Sequence, residues 1–303
     1  MKPLAAFDRY WFRAMPPERL AALRVIVGGF AWVYLAVRAA HLTGYAQFSA
    51  QHFAPIGVIS WLDGPLAPAL VYAIYATTLL AGLAFVAGAY FRVSGPLFAA
   101  GFLWVTTYRN SWGMIFHTDN LVALHLAALA LAPAAAAWSY DARGREPPRP
   151  DGRFGWAVRS LCCLTVGSYV LAGIAKLRNA GWAWSEGDVL RSHVAYDALR
   201  KIELGSFHSP VGAWLVAYEW PFQVLGVLTL VLELGAPLAL VDRRLRTAWV
   251  LGVWGFHVGV IALMAITFAY PVTGCAFASF FAVERLGSHP RAQRLARWLF
   301  RRG

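Results

Sequence analysis

The sequence predicts an all-α, polytopic integral membrane protein. Of its 303 residues, 59% are hydrophobic and only 14% are charged, and the mean hydropathy is +0.52. Long apolar segments recur from Leu20 to Phe281, with no interval wide enough for a separate soluble core. These features argue against a soluble globular protein and favour one membrane domain whose main partner is the lipid bilayer.

Apolar runs long enough to cross about 30 Å of hydrocarbon define the predicted helices. The runs that meet or approach this length are residues 20–40, 67–90, 94–109, 117–138, 155–176, 218–241, 247–269 and 271–285. We therefore predict a helical bundle with about eight transmembrane helices. Two long outer segments, 41–66 and 177–217, mix Trp, Phe and Tyr with polar residues, which is typical of interfacial helices and caps.

The formal net charge of +12 is explained by membrane topology. Basic residues gather in short clusters at the ends of apolar segments, as in the linker with Arg143, Arg145, Arg149 and Arg153. Such clusters favour the cytoplasmic side, so both termini are predicted to be cytoplasmic and Lys176 to lie near the outer face. No nucleic-acid partner is expected.

The cysteines predict neither a metal site nor a disulfide framework. Cys162 and Cys163 are neighbours in an apolar segment, and Cys275 is far away in the sequence. This spacing matches no common metal-binding pattern, so we expect no bound metal and interpret the thiols as small apolar residues.

Each ionisable residue inside a predicted span requires a structural or functional explanation. Placing a charge at the centre of a membrane helix costs about 2.5–3.5 kcal/mol on insertion scales. Arg24 and Arg159 lie close to the inner boundary, where we expect their side chains to snorkel to the interface. His125 lies on an apolar helix face and is interpreted as a core histidine whose hydrogen bond is satisfied.

Glu233 and His257 lie in the middle of their spans, among small and aromatic residues. Two interpretations remain open for both: a structural hydrogen bond between helices, or a role in function. In either case each side chain should be buried and should have a polar partner, because an unpaired polar group in hydrocarbon is costly.

Lys176 ends an apolar run in the stretch "GSYVLAGIAKLRNAGWAWSEGD". Gly173 and Ala175 allow another helix to approach closely, and Trp182 and Trp184 follow at the interface. A packed and poorly hydrated pocket of this kind favours the neutral amine, which can act as a base. The alternative is a lysine that merely snorkels to the headgroups.

Five stretches carry a family resemblance along nearly the whole chain: "LAALRVIVGG", "FRVSGPLF", "NSWGMIFHTDN", "AGIAKLRNAGWAWSEGD" and "WGFHVGVIALMAITFAYPV". They resemble the membrane region of vitamin K-dependent γ-glutamyl carboxylases and of their bacterial relatives, the horizontally transferred transmembrane domain (HTTM) group. The resemblance implies a single carboxylase-like transmembrane domain over residues 1–303 in a bacterial inner membrane. The chain is expected to depart from the carboxylases in one respect, because it lacks their C-terminal lumenal substrate-binding domain.

The resemblance assigns the chemistry to particular residues. Lys176 takes the position of the base that deprotonates vitamin K hydroquinone, whose reaction with oxygen yields an epoxide and a strong base for a substrate glutamate. His117 looks like the histidine that the family places after a Ser-Trp motif, here Ser111 and Trp112. The eukaryotic enzymes have two adjacent lysines where this chain has Ala175 followed by Lys176.

The sequence is thus interpreted as a membrane enzyme that oxidises vitamin K hydroquinone or menaquinol with oxygen. Carbon dioxide is a further co-substrate if a separate peptide or protein partner supplies a glutamate. The expected catalytic residues are Lys176 and His117, and the expected quinone-binding residues are His257, Asn120, Glu233, Trp112 and Trp182. Two alternatives remain: a non-catalytic quinone-binding or redox-partner subunit, in which the lysine only hydrogen-bonds a quinone carbonyl, and a membrane interaction module.

Overall fold

The computed structural model describes residues 2–116 and 118–288, which form helices and turns and contain no β-strand. The α-helices are α1 (Lys2–Trp11), α2 (Pro17–Val37), α3 (Ala39–Gly44), α4 (Pro68–Ala87), α5 (Phe91–Asn110), α6 (Thr118–Leu131), α7 (Gly152–Ala180), α8 (Ala183–Glu186), α9 (Asp188–Glu203), α10 (Pro210–Leu215), α11 (Trp220–Leu234), α12 (Arg243–Met264) and α13 (Ala269–Val272). Short 3₁₀ helices cover Tyr45–Gln47, Ala50–His52, Gly57–Ile59, Ala236–Leu240, Cys275–Phe280 and Val283–Ser288. The all-α prediction is confirmed for this part of the chain.

Within the described residues, four helices are long and apolar enough to cross a membrane: α2, α4, α7 and α12. Helix α5 also has 20 residues, whereas α6 and α11 have 14 and 15 residues. A perpendicular crossing needs about 20 residues, so α6 and α11 are short for a complete span. The chain is therefore a helical membrane protein, and the number of about eight spans stays a prediction.

The predicted span 271–285 does not form a continuous helix. This stretch begins within α13, passes through a turn at Gly274 with a φ of 79°, and continues as two 3₁₀ helices. A positive φ ends a right-handed helix, and Pro271 lacks the N–H group that a longer helix would use. Apolar composition alone therefore gave a wrong prediction for these residues.

Among the described residues, the first compact unit contains 2–116, 118–161 and 278–288. Its core includes the fully buried rings of Phe85, Phe98 and Phe102. Helices α4 and α5 approach closely at Gly82, where a Cβ atom would lie only 2.7 Å from the ring of Phe98. A larger residue at this position would force the two helices apart.

Two polar residues are buried deep in the first unit. Arg24 is completely inaccessible and donates hydrogen bonds to the carbonyls of Ala134 at 2.7 Å and Trp138 at 2.5 Å. The prediction that it snorkels is therefore wrong, because these carbonyls satisfy its guanidinium inside the protein. His125 is the core histidine that its sequence predicted, with Nε2 lying 3.2 Å from the carbonyl oxygen of Leu161.

The second compact unit contains residues 162–277. Helices α9 and α10 lie within segment 177–217, and this segment holds the end of α12. The hydroxyl of Ser209 donates to the carbonyl of Ala262, and the ammonium of Lys201 donates to that of Met264. These bonds satisfy carbonyls that the last turn of a helix leaves without intrahelical partners.

Candidate functional site

An ion pair joins α7 and α11 in the second unit. The ammonium of Lys176 donates a hydrogen bond of 2.5 Å to Oε1 of Glu233. The side chain of Lys176 is 18% exposed and that of Glu233 is 4% exposed. Pairing lowers the cost of keeping either charge within a membrane domain. The lysine therefore has a protein partner, which simple snorkelling would not provide.

Gly173 explains why the two helices approach closely enough to form this pair. It lies one turn before Lys176, and a Cβ atom there would be 2.8 Å from the side chain of Leu234 and 3.1 Å from Cβ of Glu233. The predicted close approach at Gly173 is confirmed. Ala175 is exposed and does not belong to this contact.

Trp184, rather than Trp182, contacts the lysine. The centre of the Trp184 ring lies 5.1 Å from Nζ of Lys176, and its indole N–H donates a 2.9 Å hydrogen bond to the hydroxyl of Thr229. Trp182 is 75% exposed. The chain turns at Gly181, whose φ is 59°, so helical periodicity does not extend to the two tryptophans. The structure thus does not bring Trp182 to the pair.

A second polar pair links α7 and α12. The hydroxyl of Tyr169 lies 2.8 Å from Nε2 of His257, and both side chains are buried. Tyr169 and Lys176 lie two helical turns apart on α7, so one face of this helix presents both to its neighbours. The prediction that Glu233 and His257 are buried and have polar partners is confirmed.

Two further predicted site residues, Asn120 and Trp112, lie in the first unit. Asn120 is exposed on α6, and Trp112 packs against the rings of Phe53 and Tyr108, all within the first unit. His117 lies outside the described residues. A role for Asn120, Trp112 or His117 in quinone binding or catalysis stays a prediction.

The first unit has a buried ion pair of its own, between Arg109 and Asp119. One guanidinium nitrogen of Arg109 lies 2.5 Å from the carboxylate of Asp119, and the other donates to the hydroxyl of Tyr34 at 2.9 Å. Arg109 also donates to the amide oxygen of Asn110 and packs over the ring of Phe116. These contacts link the end of α5 to α6 and fix residues 111–116 between them.

Tyr169 was missed because a tyrosine within a hydrophobic helix is compatible with ordinary core packing. A signal was available, since Tyr169 precedes Lys176 by seven residues and two helical turns return to the same face. The sequence also contained a signal for the Lys176–Glu233 pair. When a cation and an anion are both buried, pairing them lowers the cost of removing their charges from water.

Comparison with protein-family profiles identifies a family that matches this chain. The profile described as the HTTM domain matches residues 12–284, which include Lys176, Glu233 and His257. Comparisons with curated proteins and with solved structures give no match. Because the match extends over most of the sequence, the chain belongs to the HTTM domain family of membrane proteins.

Proposed function

We propose that this chain is a bacterial inner-membrane enzyme that oxidises a reduced naphthoquinone, either vitamin K hydroquinone or menaquinol, with molecular oxygen. The observation that supports the proposal most strongly is the Lys176–Glu233 pair. Ionisable residues inside membrane domains are rare and frequently belong to proton pathways. This pair also includes the lysine at which the sequence resembles the vitamin K-dependent carboxylases.

The pair can accept the phenolic proton of the hydroquinone. Lys176 and Glu233 share one proton, and when that proton resides on Glu233 the lysine is a neutral amine. Net transfer of the phenolic proton to Nζ then creates an ammonium and a phenolate, and the opposite charges stabilise each other where water is scarce. The ring of Trp184, 5.1 Å from Nζ, stabilises the ammonium further.

The atoms and electrons of the oxidation that follows balance with molecular oxygen as the oxidant. Oxygen accepts all the electrons that the hydroquinone loses, while one of its atoms enters the epoxide and the other leaves as water. The chain's own residues bind the substrate, hold the proton and limit the access of water. Carboxylation of a glutamate with carbon dioxide, on a separate peptide or protein, stays a prediction from the resemblance.

Epoxide formation tests the proposal directly. The purified protein in lipid nanodiscs is incubated with vitamin K hydroquinone and oxygen, and the epoxide is measured by liquid chromatography. We expect epoxide from the wild type and at least about 100-fold less from Lys176→Ala, the usual scale for losing a general base. Lys201→Ala is the matched control, because Lys201 is also ion-paired, to Asp197 at 2.7 Å, in the same unit.

A second candidate function is a quinone-binding subunit without oxidation chemistry. The specific observation in its favour is that Lys176 contacts a carboxylate, since a lysine that stays an ammonium is a hydrogen-bond donor suited to a quinone carbonyl. Quinone that copurifies with the wild-type protein, together with the absence of epoxide in the assay, would select this function and exclude the first.

A further inference from the structure

One face of α11 anchors two contacts of Lys176. Glu233 on this face forms the ion pair, and Thr229, one turn earlier, accepts the 2.9 Å hydrogen bond from the indole N–H of Trp184. Gly226 precedes Thr229 by three residues, and spacings of three and four residues return to the same side of a helix. The carboxylate and the ring that contact the lysine are therefore held by a single helix.

Two glycines bring the backbone of α8 close to that of α11. A Cβ atom at Gly226 would lie 2.4 Å from the carbonyl oxygen of Trp184. At the end of α8, a Cβ atom at Gly187 would lie 2.4 Å from the backbone nitrogen of Gln223, and the φ of Gly187, 90°, is one that other residues rarely adopt. The backbone of Trp184 is thus held against α11, whereas its side chain could still rotate about χ1 and χ2.

The hydroxyl of Thr229 determines the orientation of the Trp184 ring. This hydroxyl is buried, and it donates a 2.9 Å hydrogen bond to the carbonyl of Gly226. Its hydrogen is therefore committed, and its oxygen is left as an acceptor for the indole N–H. Because a tryptophan N–H requires a polar partner inside a protein, this bond selects the orientation in which the ring centre lies 5.1 Å from Nζ of Lys176.

The ring contact affects the two protonation states of the lysine differently. The face of an indole attracts a cation and interacts much less with a neutral amine. In the proposed reaction Lys176 passes from the neutral amine to the ammonium, so the ring stabilises the state that proton transfer creates. Moving the ring away from the lysine would slow this step without weakening the binding of the quinol.

We infer that Thr229 is a positioning residue for the base, because it holds the Trp184 ring over Lys176 and thereby favours uptake of the phenolic proton. The inference rests on the proposed function. Thr229 acts through Trp184, since the hydrogen bonds of its hydroxyl go to this indole and to the carbonyl of Gly226. Serine would supply the same hydroxyl at this position, whereas valine has nearly the same shape and cannot accept the bond.

The position of the ring can be measured without any quinone. The sequence contains three lysines, Lys2, Lys176 and Lys201, so carbon-13 labelling of lysine gives few NMR signals, and that of Lys176 is assigned by its loss in Lys176→Arg. A methylene group over an aromatic face resonates at high field, because the ring current shields it. We expect this shift for the ε-methylene of Lys176 in the wild type and in Thr229→Ser, and its loss in Thr229→Val. An ordinary position in the wild type, or an unchanged shift in Thr229→Val, would overturn the inference.

Epoxide formation in nanodiscs tests the contribution of the ring to the reaction. Thr229→Val and Trp184→Leu should each lower the rate at saturating quinol about tenfold, the scale of one cation–π contact in a poorly hydrated site, with the KM for the quinol unchanged. The double variant should be no slower than either single variant, because without the ring the hydroxyl has nothing to position. Thr229→Ser should retain most of the rate. The control Thr106→Val, which removes a buried hydroxyl in the other unit, should retain all of it.

The outcomes separate the positioning role from the proposed function. Absence of epoxide from the wild type would overturn the proposed function and, with it, the contribution of Thr229 to proton uptake. Epoxide formation by the wild type together with an undiminished rate in Thr229→Val, or with additive losses in the double variant, would overturn the inference alone.

Discussion

The ammonium of Lys176 and the carboxylate of Glu233 meet at 2.5 Å, although 57 positions separate them in the sequence. The contact joins α7 to α11 and depends on Gly173, because a side chain there would collide with Leu234. A paired lysine differs chemically from an isolated one, because the Glu233 carboxylate stabilises the ammonium that proton uptake creates.

Removing one member of this pair should destabilise the protein more than removing both. Glu233→Leu leaves the ammonium without its partner and should lower the free energy of unfolding by about 3 kcal/mol, whereas Lys176→Met with Glu233→Leu should recover most of that loss. Denaturant unfolding in detergent, followed by circular dichroism, measures both values. A double variant at least as unstable as the single variant would show that the charges do not stabilise each other.

Arg109 should not tolerate replacement by lysine. Its guanidinium contacts Tyr34, Asn110 and Asp119 at once, and an ammonium cannot reproduce this planar geometry. We expect Arg109→Lys to cost about 2 kcal/mol and to increase hydrogen exchange in residues 111–116. Arg92→Lys, at an exposed position on the same helix, is the control. Unchanged exchange in Arg109→Lys would mean that the ion pair does not hold this segment.

The ion pair between Arg19 and Glu284 should make stability depend on pH. Arg19 donates two hydrogen bonds to the Glu284 carboxylate, at 2.9 and 2.6 Å. Burial alone would raise the pKa of Glu284, but the hydrogen bonds and the charge of Arg19 outweigh burial, and the net pKa lies below its ordinary value. A lowered carboxylate pKa contributes stability above the unfolded pKa of about 4.3, and this contribution is lost as the pH falls through the folded pKa.

Comparison of Glu284→Gln with the wild type measures this contribution. The variant should be less stable by about 1 kcal/mol at pH 7, and the difference should shrink as the pH approaches 3. Glu186→Gln, which changes an exposed carboxylate, should show no such trend. A stability difference that stays constant from pH 7 to pH 3 would contradict the assignment.

The basic linker between α6 and α7 should be cytoplasmic. A cysteine that replaces the exposed Glu146 should react with a membrane-impermeant thiol reagent only after the inner membrane is opened. A cysteine at exposed position 203, within the predicted outer segment, should react in intact spheroplasts. The reverse pattern would invert the topology and move Lys176 to the cytoplasmic side.

The long helices could be predicted from the sequence because a membrane requires uninterrupted apolar length. The run 20–40 corresponds to Pro17–Val37, and the run 247–269 corresponds to Arg243–Met264. The run 271–285 has similar composition but contains Gly274, whose left-handed backbone breaks the helix. Hydropathy measures composition and does not register such breaks.

For the site, one physical argument drew attention to Lys176, Glu233 and His257 in the sequence. An ionisable side chain inside a membrane helix is costly, so its presence indicates a structural or functional role. The same argument could not identify Tyr169, which is common in apolar cores, or choose Trp184 over Trp182. That choice depends on the turn at Gly181 and on the close contact between Gly226 and the carbonyl of Trp184. Both are properties of three-dimensional packing rather than of residue type.

The rate of epoxide formation by Lys176→Arg tests the central claim most directly. Arginine keeps the positive charge and can retain the ion pair with Glu233, but its guanidinium cannot give up a proton and then accept one. If Lys176 is the base, Lys176→Arg should fold with near wild-type stability and form epoxide at least about 100-fold more slowly. Epoxide formation at the wild-type rate would show that the lysine acts through charge alone, and it would contradict the assignment of Lys176 as the base.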